Sequence, residues 1–471
     1  MESLPDKLDP DLTDLKTLAL SAVNRCIDYQ GKSADSSEKG YRSPLFLKSE
    51  LPQKSTSLNE VYEFLQKNIL DNPQFINTHP GFMGWSLGAG NFISILTEMI
   101  NAAVSTSPQS EAQTITHFEL ELIDWMKQAF SWPTTGSGQL VSGSSMGNLL
   151  GLMAARHHLD SSIKFAGVSK DQGLCVVCSS QTHLTVKRAL NILGLGEDNF
   201  INVPTGSDGK ILIEELEIVL KNILQKKKIL AFVATLGTTV FGNMENVHEI
   251  QKICSKLGIW LHIDAAWGAW LRLDKTRLPL TKGMELADSI TFDFHKWPGS
   301  SIGCGLVLFR PGIDISNTLH VDNNYLTPVS DHTHLLGDFS LETSRPSRAL
   351  TPWAVIKFNG LEKIGNLLQR NCDLIRFIYE QIKMWPQIEI PFSPETNSLV
   401  LRLRPENNSF NSNDFNREFA KKLWQEGRFM PSLVEINSKT FLKISFMNHR
   451  TTQDDASTLV ERLLQGTQTH G

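Results

Sequence analysis

The sequence predicts an α/β protein built on a largely parallel β-sheet, and three observations carry that prediction. From about residue 105 to 320, short continuous apolar runs alternate with helical patterns. Leu174-Cys-Val-Val-Cys178, Ile229-Leu-Ala-Phe-Val-Ala-Thr235, Ile259-Trp-Leu-His-Ile-Asp264 and Leu306-Val-Leu-Phe309 read as strands covered on both faces, the pattern of a sheet with helices on each side. The second observation is Ser142-Gly-Ser-Ser-Met-Gly-Asn148, a Gly/Ser turn that runs straight into a helical stretch ending at Arg156. The third is size: 471 residues with 41% hydrophobic and 20% charged side chains are enough for two or three domains and a large core.

The elements follow in order. Leu12, Leu15, Leu18, Val23, Cys26 and Ile27 recur at helical spacing. After a polar break at 31–40, Ser57-Leu-Asn-Glu60 is a capping box that opens a helix reaching Ile69-Leu70. Short helices ahead of the main sheet bury little alone, so this region is expected to pack on another part of the chain or on a second subunit. Beyond the alternating segment, Trp353 to Met384 reads as a long helix. A smaller α+β unit closes the pattern, with strands 398–403 and 441–446, a helix at 413–426 and a last helix from about Asp454.

Charge and cysteine usage exclude several classes. Lys plus Arg total 45 against 50 Asp plus Glu, a net charge of -5, which leaves no electrostatic footprint for nucleic acid or an anionic membrane. No signal peptide and no run of membrane-spanning length is read from the sequence. The six cysteines are scattered through apolar segments, and Cys175-Val-Val-Cys178 sits inside a strand with no second pair, so core thiols in a reducing, cytoplasmic compartment are expected.

Four features then converge. The 142–148 turn offers free backbone N–H groups and the positive end of a helix dipole, a cradle for phosphate, although such turns also merely cap helices. His183 follows strand 174–178 and stands where an imidazole can stack on a flat ring; a helix-start or core histidine is the plain alternative. Asp264 ends an apolar strand, and strand alternation puts it on the same face as His262. A carboxylate there needs a cation or strong donors: a protonated pyridine nitrogen would serve, Ala265-Ala266 leaves room for the ring, and metal ligation is the runner-up. Lys296 follows an apolar run and precedes Pro298-Gly299, so it should end a buried strand at a sharp turn, where burial makes a lysine nucleophilic towards carbonyl groups. Together these are the requirements of pyridoxal 5'-phosphate, with no metal implied.

The same residues resemble those of the group II pyridoxal-phosphate decarboxylases, which act on aromatic amino acids, glutamate and cysteine sulfinate. The resemblance runs through His79-Pro-Gly-Phe-Met-Gly-Trp85, Ser107-Pro108, Phe118-Glu119, Asp124-Trp125, the 142–156 turn and helix, and His183. It continues through Ala234-Thr-Leu-Gly-Thr-Thr-Val-Phe-Gly242, His262-Ile-Asp-Ala-Ala266, Ala287-Asp-Ser289, His295-Lys-Trp297, Ser344-Arg345 and Trp353. It implies the aspartate-aminotransferase-like fold of pyridoxal-phosphate enzymes (fold type I). Residues 1–105 would form an N-terminal helical segment at a dimer interface, 106–345 the large cofactor-binding domain and 346–471 the small domain.

By the same resemblance, Lys296 would bind the cofactor aldehyde covalently, Asp264 would pair with the ring nitrogen and His183 would stack on the ring. Ser144 and Ser145 would hold the phosphate with His295 nearby, Ala266 would pack under the ring, and Thr239 or Thr238 would lie beside it. Tyr325 stands where the family carries the tyrosine thought to protonate the carbon left by CO2. Phenylalanine is usual there in aldehyde-forming relatives, so Tyr325 favours simple decarboxylation of an L-amino acid to its amine. Trp85, Ser86 and Leu87 would line the substrate pocket and suit an aromatic or medium-sized side chain. The chain departs from the family at Phe294, where proline is usual, at Lys443, where arginine is common, and after Ser144-Ser145, where an acidic residue is missing.

Overall fold

The computed structural model describes residues 10–32, 51–71, 77–108, 113–313, 315–321, 339–404 and 411–468. A seven-stranded sheet comprises β1 (Ser137–Val141), β2 (Leu174–Cys178), β3 (Phe200–Asn202), β4 (Lys228–Thr235), β5 (Leu261–Asp264), β6 (Ser289–Asp293) and β7 (Gly305–Phe309). The spatial order is β1-β7-β6-β5-β4-β2-β3. The five strands from β6 to β3 are parallel, as predicted. The strand at 305–309 differs: β7 runs antiparallel to both β6 and β1. The chain between β6 and β7 is a short loop with no crossover helix, and a direct return can only pair strands antiparallel.

Four helices precede or flank the first strands: α1 (Leu12–Lys32), α2 (Leu58–Leu65), α3 (Phe92–Val104) and α4 (Thr114–Ala129). The predicted capping box opens α2, with Ser57 and Glu60 each accepting from the other's backbone N–H. Helices α5 (Ser144–Leu159), α6 (Ile163–Ala166), α7 (Leu184–Ile192), α8 (Ile213–Leu224), α9 (Val247–Leu257) and α10 (Ile315–Leu319) are interleaved with the strands. Alternation sorts the strand side chains onto two faces. Cys175, Val177, Leu261 and Ile263 join one buried cluster, while Val176, Cys178 and Val233 join the cluster under α5 and α7.

Helix α11 (Leu350–Ile382) crosses to the smaller unit and kinks at Gly360, whose φ of 70° interrupts the helical run. A four-stranded sheet follows, with β8 (Ile388–Glu389), β9 (Ser398–Leu403), β10 (Ser432–Ile436) and β11 (Lys439–Ser445) in the order β10-β11-β9-β8, all antiparallel. Helices α12 (Ser412–Glu426) and α13 (Gln453–Gln468) cover it. The segment before α3 is stitched to this unit. Phe82 bridges to Met430, Ser445 N–H donates to the Met83 carbonyl, and Asn448 Nδ2 donates to the carbonyls of Asn77, Thr78 and His79.

Candidate active site

In a parallel sheet the carboxyl ends of the strands share one edge, and loops leaving that edge build the crevice. Asp264 is the last residue of β5, Asp293 the last of β6, and His183 follows β2 by five residues. The lysine turn therefore leaves the same edge that presents Asp264. Lys296 Nζ lies 3.3 Å from Asp293 Oδ2, and His295 Nε2 lies 3.6 Å from the same oxygen. The other oxygen, Asp293 Oδ1, accepts the Ser144 backbone N–H at 2.6 Å, at the first residue of α5. Asp293 thus ties the lysine turn to the helix N-terminus. Its signal in the sequence is an acidic group ending an apolar strand three residues before the lysine.

The Ser144 hydroxyl is buried at that helix start without a hydrogen-bond partner, whereas Ser145 is exposed. A buried donor left free is costly, and it is the kind of group an incoming phosphate satisfies. The imidazole of His183 caps α7, with Nδ1 2.8 Å from Thr185 Oγ1. Burial lowers its pKa, and the charges of Asp264, Lys296 and Asp293 all act on it, which places the ring among the site residues.

Asp264 is 3% exposed, and its Oδ2 accepts Asn148 Nδ2 at 2.9 Å while Oδ1 accepts the Ala266 N–H at 3.3 Å. The predicted sharing of one face by His262 and Asp264 holds, since Asn148 on α5 bonds both. Among the described residues no cluster of three or more His, Cys, Asp or Glu is disposed to hold a metal. Beside Asp264, across β4, Glu245 accepts the Thr235 N–H at 2.7 Å, and burial with the Asp264 charge pushes its pKa up to about 7. Thr238 is committed to its turn, where its hydroxyl accepts the Asn243 N–H, and Thr239 is exposed.

Trp85 and Ser86 both have left-handed backbones, φ 56° and 47°, and the loop they form presses onto the lysine turn. A Cβ on Gly88 would overlap the carbonyl oxygens of His295 and Lys296. Ser86 is buried, Leu87 half-buried and Trp85 70% exposed. From the small sheet, Lys443 reaches into this region, 2% exposed, donating to Ser86 Oγ at 2.9 Å. Burial, with the nearby Lys296 charge, lowers its pKa to about 8. The 85–87 segment itself carries no basic residue; the fold supplies one from β11. Tyr325 lies outside the described residues.

These residues meet the needs of pyridoxal phosphate: a helix N-terminus with a buried free hydroxyl, a carboxylate held by donors, and a lysine at the crevice. The sequence also matches the family model described as the pyridoxal-dependent decarboxylase conserved domain, over residues 41–404. The chain belongs to that family. It is 28% identical over 388 residues to an L-2,4-diaminobutyrate decarboxylase of Acinetobacter baumannii, covering 79% of this chain and 76% of that protein. To an aromatic-L-amino-acid decarboxylase of Bacillus atrophaeus it is 25% identical over 466 residues, covering 96% and 95%. The crystal structure of mouse CSAD superposes with a TM-score of 0.88 at 21% identity, covering 98% of this chain and 100% of that one, and so shares the fold. As a member of this family the protein is a carboxy-lyase, and it decarboxylates an amino acid using pyridoxal phosphate.

Proposed function

We propose that the substrate is an L-amino acid with a medium-sized or aromatic side chain, and that the products are its amine and CO2. The observation that carries this reading is the meeting of Lys296, Asp293, Asp264 and His183 at one edge of the parallel sheet. When bound, the cofactor supplies an electron sink for the pair left behind as CO2 departs. Lys296 would bind its aldehyde and Asp264 would pair with the ring nitrogen, while His183, Ala266 and Thr239 would contact the ring. Ser144, Ser145 and His295 would hold the phosphate at the start of α5, where the helix dipole favours an anion.

Trp85, Ser86 and Leu87 line the substrate side. Lys443 is buried beside the Lys296 charge with its ammonium on the Ser86 hydroxyl, and a buried cation in that position calls for an anionic group of the substrate. Tyr325 delivers the proton to the carbon that loses CO2.

The protein works as a homodimer in the cytoplasm. Phe92, Leu96, Met99, Ile100 and Val104 leave an exposed apolar face along α3, which a second copy would cover. No helix among the described residues is long and apolar enough to cross a membrane, and all six cysteines are free thiols, as a reducing compartment keeps them.

The test is a substrate screen. Purified protein with pyridoxal phosphate is offered each common L-amino acid, 2,4-diaminobutyrate and cysteine sulfinate, and amine, CO2, aldehyde and peroxide are measured. Equimolar amine and CO2 support the reading; aldehyde with peroxide overturns it. Loss of the cofactor's visible absorbance in Lys296→Ala checks the lysine.

A further inference from the structure

We infer that Asn148 is a positioning residue for the reaction: it fixes the Asp264 carboxylate, and a buried chain through His262, Ser289 and Trp260 fixes Asn148. This rests on the assignment of Asp264 to the ring nitrogen. Asn148 Nδ2 donates to Asp264 Oδ2 at 2.9 Å and lies 3.3 Å from Thr185 Oγ1. On its other side Asn148 Oδ1 is 2.9 Å from His262 Nε2, His262 Nδ1 is 2.8 Å from Ser289 Oγ, and Trp260 Nε1 donates to that oxygen at 3.1 Å. Asn148, His262 and Ser289 have no solvent exposure at all.

The hydrogen-bond sense along this chain is set. Trp260 can only donate and fills one lone pair of Ser289 Oγ, and an Asn148 that donates to Asp264 turns its Oδ1 to His262 Nε2–H, so Nδ1 is left to accept the Ser289 hydroxyl. Full burial lowers the His262 pKa to about 3, so the ring is neutral and carries its one proton on Nε2, aimed at Asn148 Oδ1. The amide nitrogen of Asn148 must then face Asp264. The reverse sense would point the Asn148 oxygen at a buried carboxylate, two acceptors with no hydrogen between them.

Sequence makes room for the contact. Asn148 sits on α5 between Gly147 and Gly151, and neither position tolerates a Cβ. At 147 it would overlap Thr291 on β6, and at 151 the ring of His262 on β5. The two glycines let the helix close on the strands until the amide spans from His262 to Asp264. A donor so held locks the rotamer of the carboxylate, leaving its remaining lone pairs for the ring nitrogen.

The test is a double-mutant cycle read by cofactor affinity, with pyridoxal phosphate titrated into the cofactor-free protein and its visible absorbance followed. Asn148→Ala is expected to weaken binding about tenfold or more, the size of one hydrogen bond to a charged group. It should also lower kcat with little change in KM. In an Asp264→Ala background the same substitution should change nothing further. Equal losses in both backgrounds would mean that Asn148 acts independently of Asp264 and would overturn the inference. No loss in Asp264→Ala alone would instead remove the ring-nitrogen assignment beneath it. The near-isosteric Asn148→Leu keeps the shape and removes the donor without adding a charge beside Asp264, so it repeats the test if alanine lowers the melting temperature of the cofactor-free protein.

Discussion

Lys443 Nζ donates to Ser86 Oγ at 2.9 Å, joining β11 to the loop that presses on the lysine turn. The pair puts a cation where water is excluded, and burial holds its pKa at about 8. If this charge receives the substrate, KM is constant below pH 8 and rises as pH passes through that value and the ammonium loses its proton. Lys443→Arg keeps the charge and should flatten the rise, while Lys443→Met should raise KM about tenfold already at pH 7. Methionine also removes the cost of a buried charge, so the cofactor-free variant should melt at a higher temperature.

Arg345 and Glu119 form a two-bond fork, both contacts 2.8 Å, with the two side chains 1% and 2% exposed. Removing one partner of such a pair strands the other charge. Glu119→Gln should cost about 3–5 kcal/mol in denaturant unfolding, and Arg345→Met/Glu119→Leu together far less.

Ser144→Ala should act in opposite directions on two readouts. The buried hydroxyl has no partner in the cofactor-free protein, so its loss should leave stability unchanged or raise it. Cofactor affinity should fall about tenfold, because a phosphate contact is lost.

Acid stability follows from buried imidazoles. Burial holds His262 neutral down to about pH 3 and His449 down to about 4, against an ordinary value of 6.5. In that window the unfolded chain binds more protons, so stability rises with pH towards 6.5 and is lost as pH falls. Glu245, raised to about 7 from 4.5, works in the other direction, since the folded state keeps its proton between those values. Two groups outweigh one, so melting temperature should climb from pH 4.5 to 6.5. His449→Asn should flatten the climb, and Glu245→Gln should steepen it.

Tyr325→Phe should lower amine release sharply and let aldehyde accumulate, measured by product analysis under air. Full-rate amine release would remove the tyrosine from the reaction.

Much of the sheet was legible because buried parallel strands announce themselves as unbroken apolar runs. Strands 174–178 and 228–235, the end of 261–264 and the small-domain strand 398–403 were all read that way. Short or half-exposed strands carry no such run, so Ser137–Val141 and Ser432–Ile436 were not seen, nor was the reversal of 305–309, which depends on a connection rather than on strand composition. At the site, Lys296, Asp264 and His183 follow apolar strands and could be found from their position. Asn148 and Lys443 act across 116 and 357 residues of sequence, and no local pattern encodes such contacts. Asp293 ends an apolar run in the sequence, but its link to Ser144 exists only once β6 and α5 are placed.

The stitching of residues 77–83 to the chain near 430–451 has a consequence for synthesis on the ribosome. The loop that presses on the lysine turn is made well before its backbone partners, which lie as much as 371 residues further along the chain. The large sheet can gather its strands during elongation, whereas the crevice cannot close until residue 451 has emerged, because contacts this distant in sequence form late. Nascent chains stalled before β11 should therefore show a protected large sheet and an open lysine turn, so the protein gains its active site only after the second, smaller sheet has been made.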